Sequence, residues 1–159
     1  MSDIIPYSRR RHRKAFTQLL ADHFAQLDNV VPPAYIPNLA EHIANTQTQG
    51  EFWVWLGLSN GKPAGFLIAQ IDGEGKDWCK RPGWGFCREV YVDPAARGKG
   101  LARGLVAQME QTLFSSGARN VYLTTQAGGF WQALGYSDSG QVDEGNGLRV
   151  FTKRLGDST

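Results

Sequence analysis

Apolar positions along this chain change period several times, and each change marks an element. A short apolar piece, Ile4 to Pro6, leads to Ser8, a residue type favoured just before a helix, and then to Phe16, Leu19, Leu20, Phe24 and Leu27 at helical spacing. This predicts a strand followed by an amphipathic helix. Val31-Pro32-Pro33 stops that helix, because proline has no N–H to give and its ring crowds the preceding turn. A second helix is predicted to start near Pro37, with Leu39, Ala40 and Ile43 on its apolar side and Gly50 near its end. Phe52 to Leu58 and Gly65 to Ile71 are rich in aromatic and aliphatic residues, and Asn60-Gly61 between them is a tight-turn pair that tolerates positive φ. Together they predict a β-hairpin.

Asp72 to Gly85 holds four glycines, a proline and mixed charges, which suits a long exposed connection. A strand from Phe86 to Val92 is stopped by Asp93-Pro94. After a glycine-containing turn, a helix carries Leu101, Leu105, Val106, Met109 and Leu113 on one side, with Gly117 as its terminator. A strand from Asn120 to Thr125, a short helical piece around Phe130 to Leu134 and an apolar stretch from Leu148 to Phe151 complete the chain. The order β, α, α, β, β, β, α, β, α, β, β predicts a mixed α/β sheet without an internal repeat.

Composition narrows the picture. A length of 159 residues fits one domain, with one core and one active site. Hydrophobic content of 42% and charged content of 20% are those of a globular protein. A formal charge of +2 does not by itself imply a polyanionic partner. Arg9, Arg10, Arg11, Arg13 and Lys14 nearly form a run; at the polar start of an amphipathic helix this reads as a solvated face, with a small nucleic-acid-binding module as the alternative. Cys79 and Cys87 have neither the spacing of a zinc site nor the number of a disulfide framework, and the amino terminus is polar within a few residues. A cytoplasmic protein without metal is expected. No apolar run approaches the roughly 18 to 20 residues that cross a bilayer, so no membrane role is expected. His12, His23 and His42 share no metal spacing, and no chemistry is assigned to them.

The candidate chemistry lies in Arg97-Gly98-Lys99-Gly100-Leu101-Ala102, where a strand ends and a long amphipathic helix begins. Glycines 98 and 100 permit unusual backbone angles and put no Cβ in the way, and the first helical turn offers unpaired N–H groups with the positive end of its dipole. A pyrophosphate suits such a place. A Walker phosphate loop needs Gly-Lys followed by Ser or Thr, whereas Lys99 precedes Gly100. A Rossmann fingerprint needs three glycines in an early βαβ unit, which the chain lacks.

The segment from Glu89 to Ala102 resembles the acyl-CoA-binding motif of the GNAT superfamily of N-acetyltransferases, whose pattern is Arg or Gln, two residues, Gly, one residue, Gly or Ala. Phe130-Trp131-Gln132-Ala133-Leu134-Gly135-Tyr136 is similar to that family's helix-to-strand element ending in Gly-Phe or Gly-Tyr. The resemblance covers about half the chain in detail. It implies a mixed, mostly antiparallel sheet flanked by helices and acetyl-CoA as cosubstrate. The acceptor it implies is a primary amine of a small molecule or peptide, and the assembly a homodimer. Main-chain groups of Val90, Tyr91 and Val92 would pair with the pantetheine arm, and Arg97 to Ala102 would hold the diphosphate.

Acetyl transfer needs a proton acceptor for the amine, donors for the developing oxyanion and a proton for the leaving thiolate. By resemblance Glu89 is the candidate base. Strand alternation puts Cys87, Glu89 and Tyr91 on one face, so a base and a structural or ion-paired carboxylate both stay open for Glu89. The N–H of Val92 or Tyr91 is the implied oxyanion donor. Many relatives place a tyrosine at the thiolate-protonating position, where this chain has Trp131, whose indole is no proton source at neutral pH. Trp131 is read as packing against the cofactor arm or filling the core, and a catalytically inactive acyl-CoA sensor is the alternative function. Tyr136 is read as core. Tyr35, the hairpin tryptophans, Asp72, Glu74, Asp77 and Trp78 are the candidate acceptor-pocket residues, each of which solvation or packing also explains.

Overall fold

The computed structural model describes residues 3–27, 31–76 and 78–156. Its elements follow the predicted order: β1 (Ile4–Pro6), α1 (Arg9–Ala25), α2 (Ile36–Thr48), β2 (Trp53–Ser59), β3 (Lys62–Ile71), β4 (Gly85–Val92), α3 (Leu101–Ser115), β5 (Asn120–Thr125), α4 (Gly128–Ala133), β6 (Ser137–Val142) and β7 (Arg149–Arg154). The seven strands form one mixed sheet in the order β1-β2-β3-β4-β5-β7-β6. The β4–β5 ladder is parallel, through Gly85↔Val121 and Phe86↔Tyr122. β1–β2, β2–β3, β5–β7 and β6–β7 are antiparallel. Among the described residues no helix is long and apolar enough to cross a membrane. The chain divides into two compact units, Met1–Ala69 with Glu89–Gln108, and Gln70–Arg88 with Met109–Thr159.

In the first unit, Asn60 and Gly61 take φ of 52° and 76° and close the β2–β3 hairpin as a two-residue turn. The helical spacing read from the sequence becomes a buried stripe, in which Phe16, Leu20 and Phe24 of α1 pack with Ile36 and Ile43 of α2 over Leu56 and Phe66 of the hairpin. Burial of these side chains, at about 1.5–3 kcal/mol each, is what holds α1 and α2 on the strands. Ser8 sits at the N-cap of α1, yet its hydroxyl makes no cap bond; its own N–H donates instead to Nδ1 of His12 at 3.0 Å. Part of the basic run faces α2: Arg9 bonds Glu41 and Asn45, and Arg13 pairs with Glu41 at 3.0 Å.

In the second unit, the connection expected to be exposed from Asp72 to Gly85 is tied down by a buried carboxylate. Asp72 accepts from the N–H groups of Lys80 and Arg81 at 3.0 Å, from Nε2 of Gln70 at 2.8 Å, and from the Tyr122 hydroxyl. A charge out of water needs such partners, and four donors fold the loop around it. Trp78 stacks on Phe86, which stacks on Tyr122, and Nε1 of Trp78 donates to the Tyr122 oxygen at 2.9 Å. β6 is exposed at every position, so no apolar alternation marks it in the sequence.

Gly65 of β3 is pressed against β4. A Cβ there would lie 2.6 Å from the main-chain oxygen of Tyr91, and backbone cannot rotate aside as a side chain can. Gly65→Ala is therefore expected to lower the unfolding free energy by about 1–3 kcal/mol, the usual cost of overpacking. Urea denaturation measures it, and an unchanged midpoint would contradict this contact.

Candidate active site

Asp93-Pro94 ends β4 and a 3-10 turn, Pro94–Ala96, redirects the chain. Ala96 is buried and anchors this corner, while Nε of Arg97 donates to the Val92 oxygen at 2.8 Å and ties the following turn to the strand end. Gly98 and Gly100 have φ of 81° and 82°, which side chains with a Cβ rarely adopt, and a Cβ built on either would meet nothing within 4 Å. Open space thus lies against both. The N–H groups of Gly98, Gly100, Leu101 and Ala102 make no hydrogen bond to another described residue. The first turn of α3 carries no acidic residue. Unpaired donors, the positive end of a 15-residue helix and the neighbouring Lys99 together form a place suited to a diphosphate.

The strand leading into this turn has a defined orientation. Asp93 N–H donates to the Ala64 oxygen of β3 at 2.8 Å, and the Tyr91 oxygen points at Gly65 of the same strand. Since main-chain groups alternate sides along a strand, those of Val90 and Val92 point away from β3.

On the side-chain faces, Glu89 and Tyr91 both meet α1 at His23, whereas the charge of Cys87 acts on Tyr136. Oε2 of Glu89 lies 2.7 Å from Nε2 of His23. Tyr91 is buried against His23 and Phe66, and its hydroxyl donates to Asp93 at 3.0 Å. Burial, with the Asp93 hydrogen bond next, pushes the Tyr91 phenol up to about 12. Sequence reasoning assigned His23 no chemistry, because its partner lies 66 residues away. One signal was present: His23 follows Leu19 by four residues and Leu20 by three, which sets an imidazole beside the buried stripe of α1.

Trp131 lies in the second unit, buried, with its ring edge-on to Phe130 and Tyr136 at 5.0 Å. Tyr136 is buried too and donates to Glu110 at 2.7 Å, which also receives Nζ of Lys153 at 3.0 Å. Burial and the Glu110 charge raise the Tyr136 phenol far above its usual range. Of the acceptor candidates, Tyr35 and Glu74 are exposed, Trp53 is half-buried and Trp55 is buried. Asp72 and Trp78 are engaged with Tyr122, and Asp77 lies outside the described residues. Among the described residues no cluster of three or more His, Cys, Asp or Glu could hold a metal ion.

A family model, the Acetyltransferase (GNAT) family, matches residues 14–136, which include the turn, β4 and α3. The chain belongs to this family. Solved structures resemble the GNAT chain over nearly its whole length. A PaiA N-acetyltransferase from Thermoplasma acidophilum, in complex with coenzyme A, has TM-score 0.72 and 14% identity over 97% of this chain and 99% of that one. A ribosomal-protein-alanine N-acetyltransferase from Brucella melitensis has TM-score 0.73 and 17% identity over 96% and 99%. An aminoglycoside 6′-N-acetyltransferase complexed with coenzyme A has TM-score 0.75 and 15% identity over 98% of each. At such identities the likeness is one of fold. A search of curated protein sequences finds no match.

The Tyr91 phenol of the GNAT chain generates a pH prediction. Its folded pKa is raised from 10.0 to about 12, so the stability linked to it is complete below the unfolded value and is lost as pH rises through the folded one. Tyr91→Phe is expected to remove one late phenolate from an alkaline absorbance titration and to make the loss of stability shallower in that window. Loss of a phenolate that ionises in the ordinary range, with the late one retained, would show that Tyr91 ionises like a solvated phenol.

Proposed function

We propose that this GNAT protein is an acetyl-CoA-dependent N-acetyltransferase. Its acceptor is a primary amine of a small molecule, such as an amino acid, a polyamine or an aminoglycoside-like compound, or of a peptide. The observation that carries this reading is the turn of two positive-φ glycines whose N–H donors, with those opening α3, have no acceptor among the described residues. Structural neighbours support an acyl-CoA partner, since two of those described are complexes with coenzyme A. They support no single acceptor, because one neighbour is named for an aminoglycoside and another for a ribosomal-protein alanine. The reading includes a cytoplasmic location and a homodimer, the latter open to light scattering.

Acetyl-CoA supplies an acetyl group activated as a thioester. In this reading the N–H groups of Gly98, Lys99, Gly100, Leu101 and Ala102 hold the diphosphate, with charge from Lys99 and a turn fixed by Arg97. Main-chain groups of Val90 and Val92 hold the pantetheine arm, while those of Tyr91, expected from the sequence to share this task, face β3 instead, and Trp131 packs within the core of its own unit. The Val92 N–H points away from β3 while Tyr91 faces it, which makes Val92 the better donor to negative charge developing on the acyl oxygen. Glu89, partly open to solvent, accepts the amine proton directly or through a water.

A panel of amino acids, polyamines, aminoglycosides and peptide amino termini, assayed for thiol release from acetyl-CoA, tests the activity. Binding without turnover on any amine would favour an acyl-CoA sensor. Gly100→Glu sets a carboxylate where the diphosphate is proposed and forfeits charge-assisted hydrogen bonds of about 1.5–3 kcal/mol each. Acetyl-CoA affinity is expected to fall by about 100-fold or more, read by calorimetry. Wild-type affinity in the folded variant would remove the cofactor assignment. Glu89→Gln is expected to lower turnover by about 100-fold or more, chiefly at lower pH, while sparing acetyl-CoA affinity. An unaltered pH–rate profile would return Glu89 to a structural role.

A further inference from the structure

Glu89 does not stand alone on its strand. Its Oε2 lies 2.7 Å from Nε2 of His23, a residue of the last turn of α1. An ionised carboxylate has only acceptors to offer, so in this pair Nε2 carries the hydrogen and donates it. The two side chains differ in access: His23 is 12% exposed and Glu89 35%. The imidazole is packed against three rings, with centroids of Phe24 at 4.8 Å, Tyr91 at 5.3 Å and Phe66 at 5.7 Å. It therefore has little freedom, and the carboxylate it grips inherits that restriction while keeping an edge toward solvent.

His23 sits at the carbonyl end of a 17-residue helix, whose dipole strengthens the donor character of its Nε2–H. Asp22, Asp93 and Arg97 are the charged groups that act on the Tyr91 ring beside it. The β3 and α1 neighbours, Phe66 and Phe24, are apolar.

We propose that His23 is a positioning residue for Glu89. Its Nε2–H fixes the orientation of the carboxylate that takes a proton from the amine. The inference rests on the reading of Glu89 as the base. No proton leaves the pair in this role: the amine proton goes to Glu89, and His23 keeps its own.

The test compares His23→Leu, which fills the space without a donor, with His23→Gln, whose amide can donate from nearly the same place. The Glu89 carboxyl carbon is observed by carbon-13 NMR of glutamate-labelled protein, assigned with Glu89→Gln, and its resonance is expected to move in His23→Leu, where the hydrogen bond is lost. On an amine turned over in the panel, kcat should fall about tenfold, with KM for acetyl-CoA and the circular dichroism unchanged. His23→Gln should recover most of kcat. An identical Glu89 carboxyl resonance in wild type and His23→Leu overturns the inference, as does wild-type kcat in His23→Leu while Glu89→Gln is inactive. Full turnover in Glu89→Gln, with an unaltered pH profile, overturns the base reading and this inference with it.

Discussion

Hydrogen bonding by the main chain where β4 gives way to α3 is the constraint on which the first unit's candidate site depends. A helix opening leaves donors that its own carbonyls cannot reach. Here the preceding residues do not cap them: Gly98 and Gly100 turn the chain with positive φ, and no acidic side chain occupies the first helical turn. Elsewhere the same fold pairs its polar groups closely, and among the described residues no buried side-chain nitrogen or oxygen lacks a partner. The donors of this glycine turn have no acceptor among the described residues, and an anion is the partner that both the dipole and the N–H geometry favour.

Packing fixes what surrounds this turn. Gly65 lets β3 come close to the Tyr91 oxygen, and Gly57 lets the Leu101 side chain, at the start of α3, lie close over β2. Aromatic contact among Phe16, Phe66, Tyr91 and His23 links α1 to the strand that bears Glu89. Two glycines and a ring cluster thus set the direction of the turn and the orientation of one carboxylate. Interiors packed this tightly pass on small volume changes, and side chains in them hold one arrangement.

The second unit uses a different device. Asp72 gathers the long connection by accepting from two main-chain N–H groups and two side chains, and Oε1 of Gln70 in turn receives Nη1 of Arg88 at 2.8 Å. A buried carboxylate in this position organises a loop that has few apolar residues of its own. The burial of Trp131 and Tyr136, with the Glu110–Lys153 pair below the tyrosine, likewise spends the chemistry of these side chains on internal contacts.

The sequence by itself determined the order of elements, the hairpin at Asn60-Gly61, the helix faces, the glycine turn and, through the motif around it, the family. These are local matters: apolar period, turn chemistry and positive-φ glycines act within a few residues, so they can be read along the chain. β6 could be placed only by element order, since its exposed residues carry no alternation. Tertiary structure alone decided the rest. It joined His23 to Glu89 across 66 positions. It drew Asp72 inward to Tyr122, fifty positions away in the chain. It also chose which of Tyr91 and Val92 turns its N–H from β3. Each of these depends on distant strands and helices meeting, and on which side of a strand faces its neighbour, a relation that no local pattern encodes.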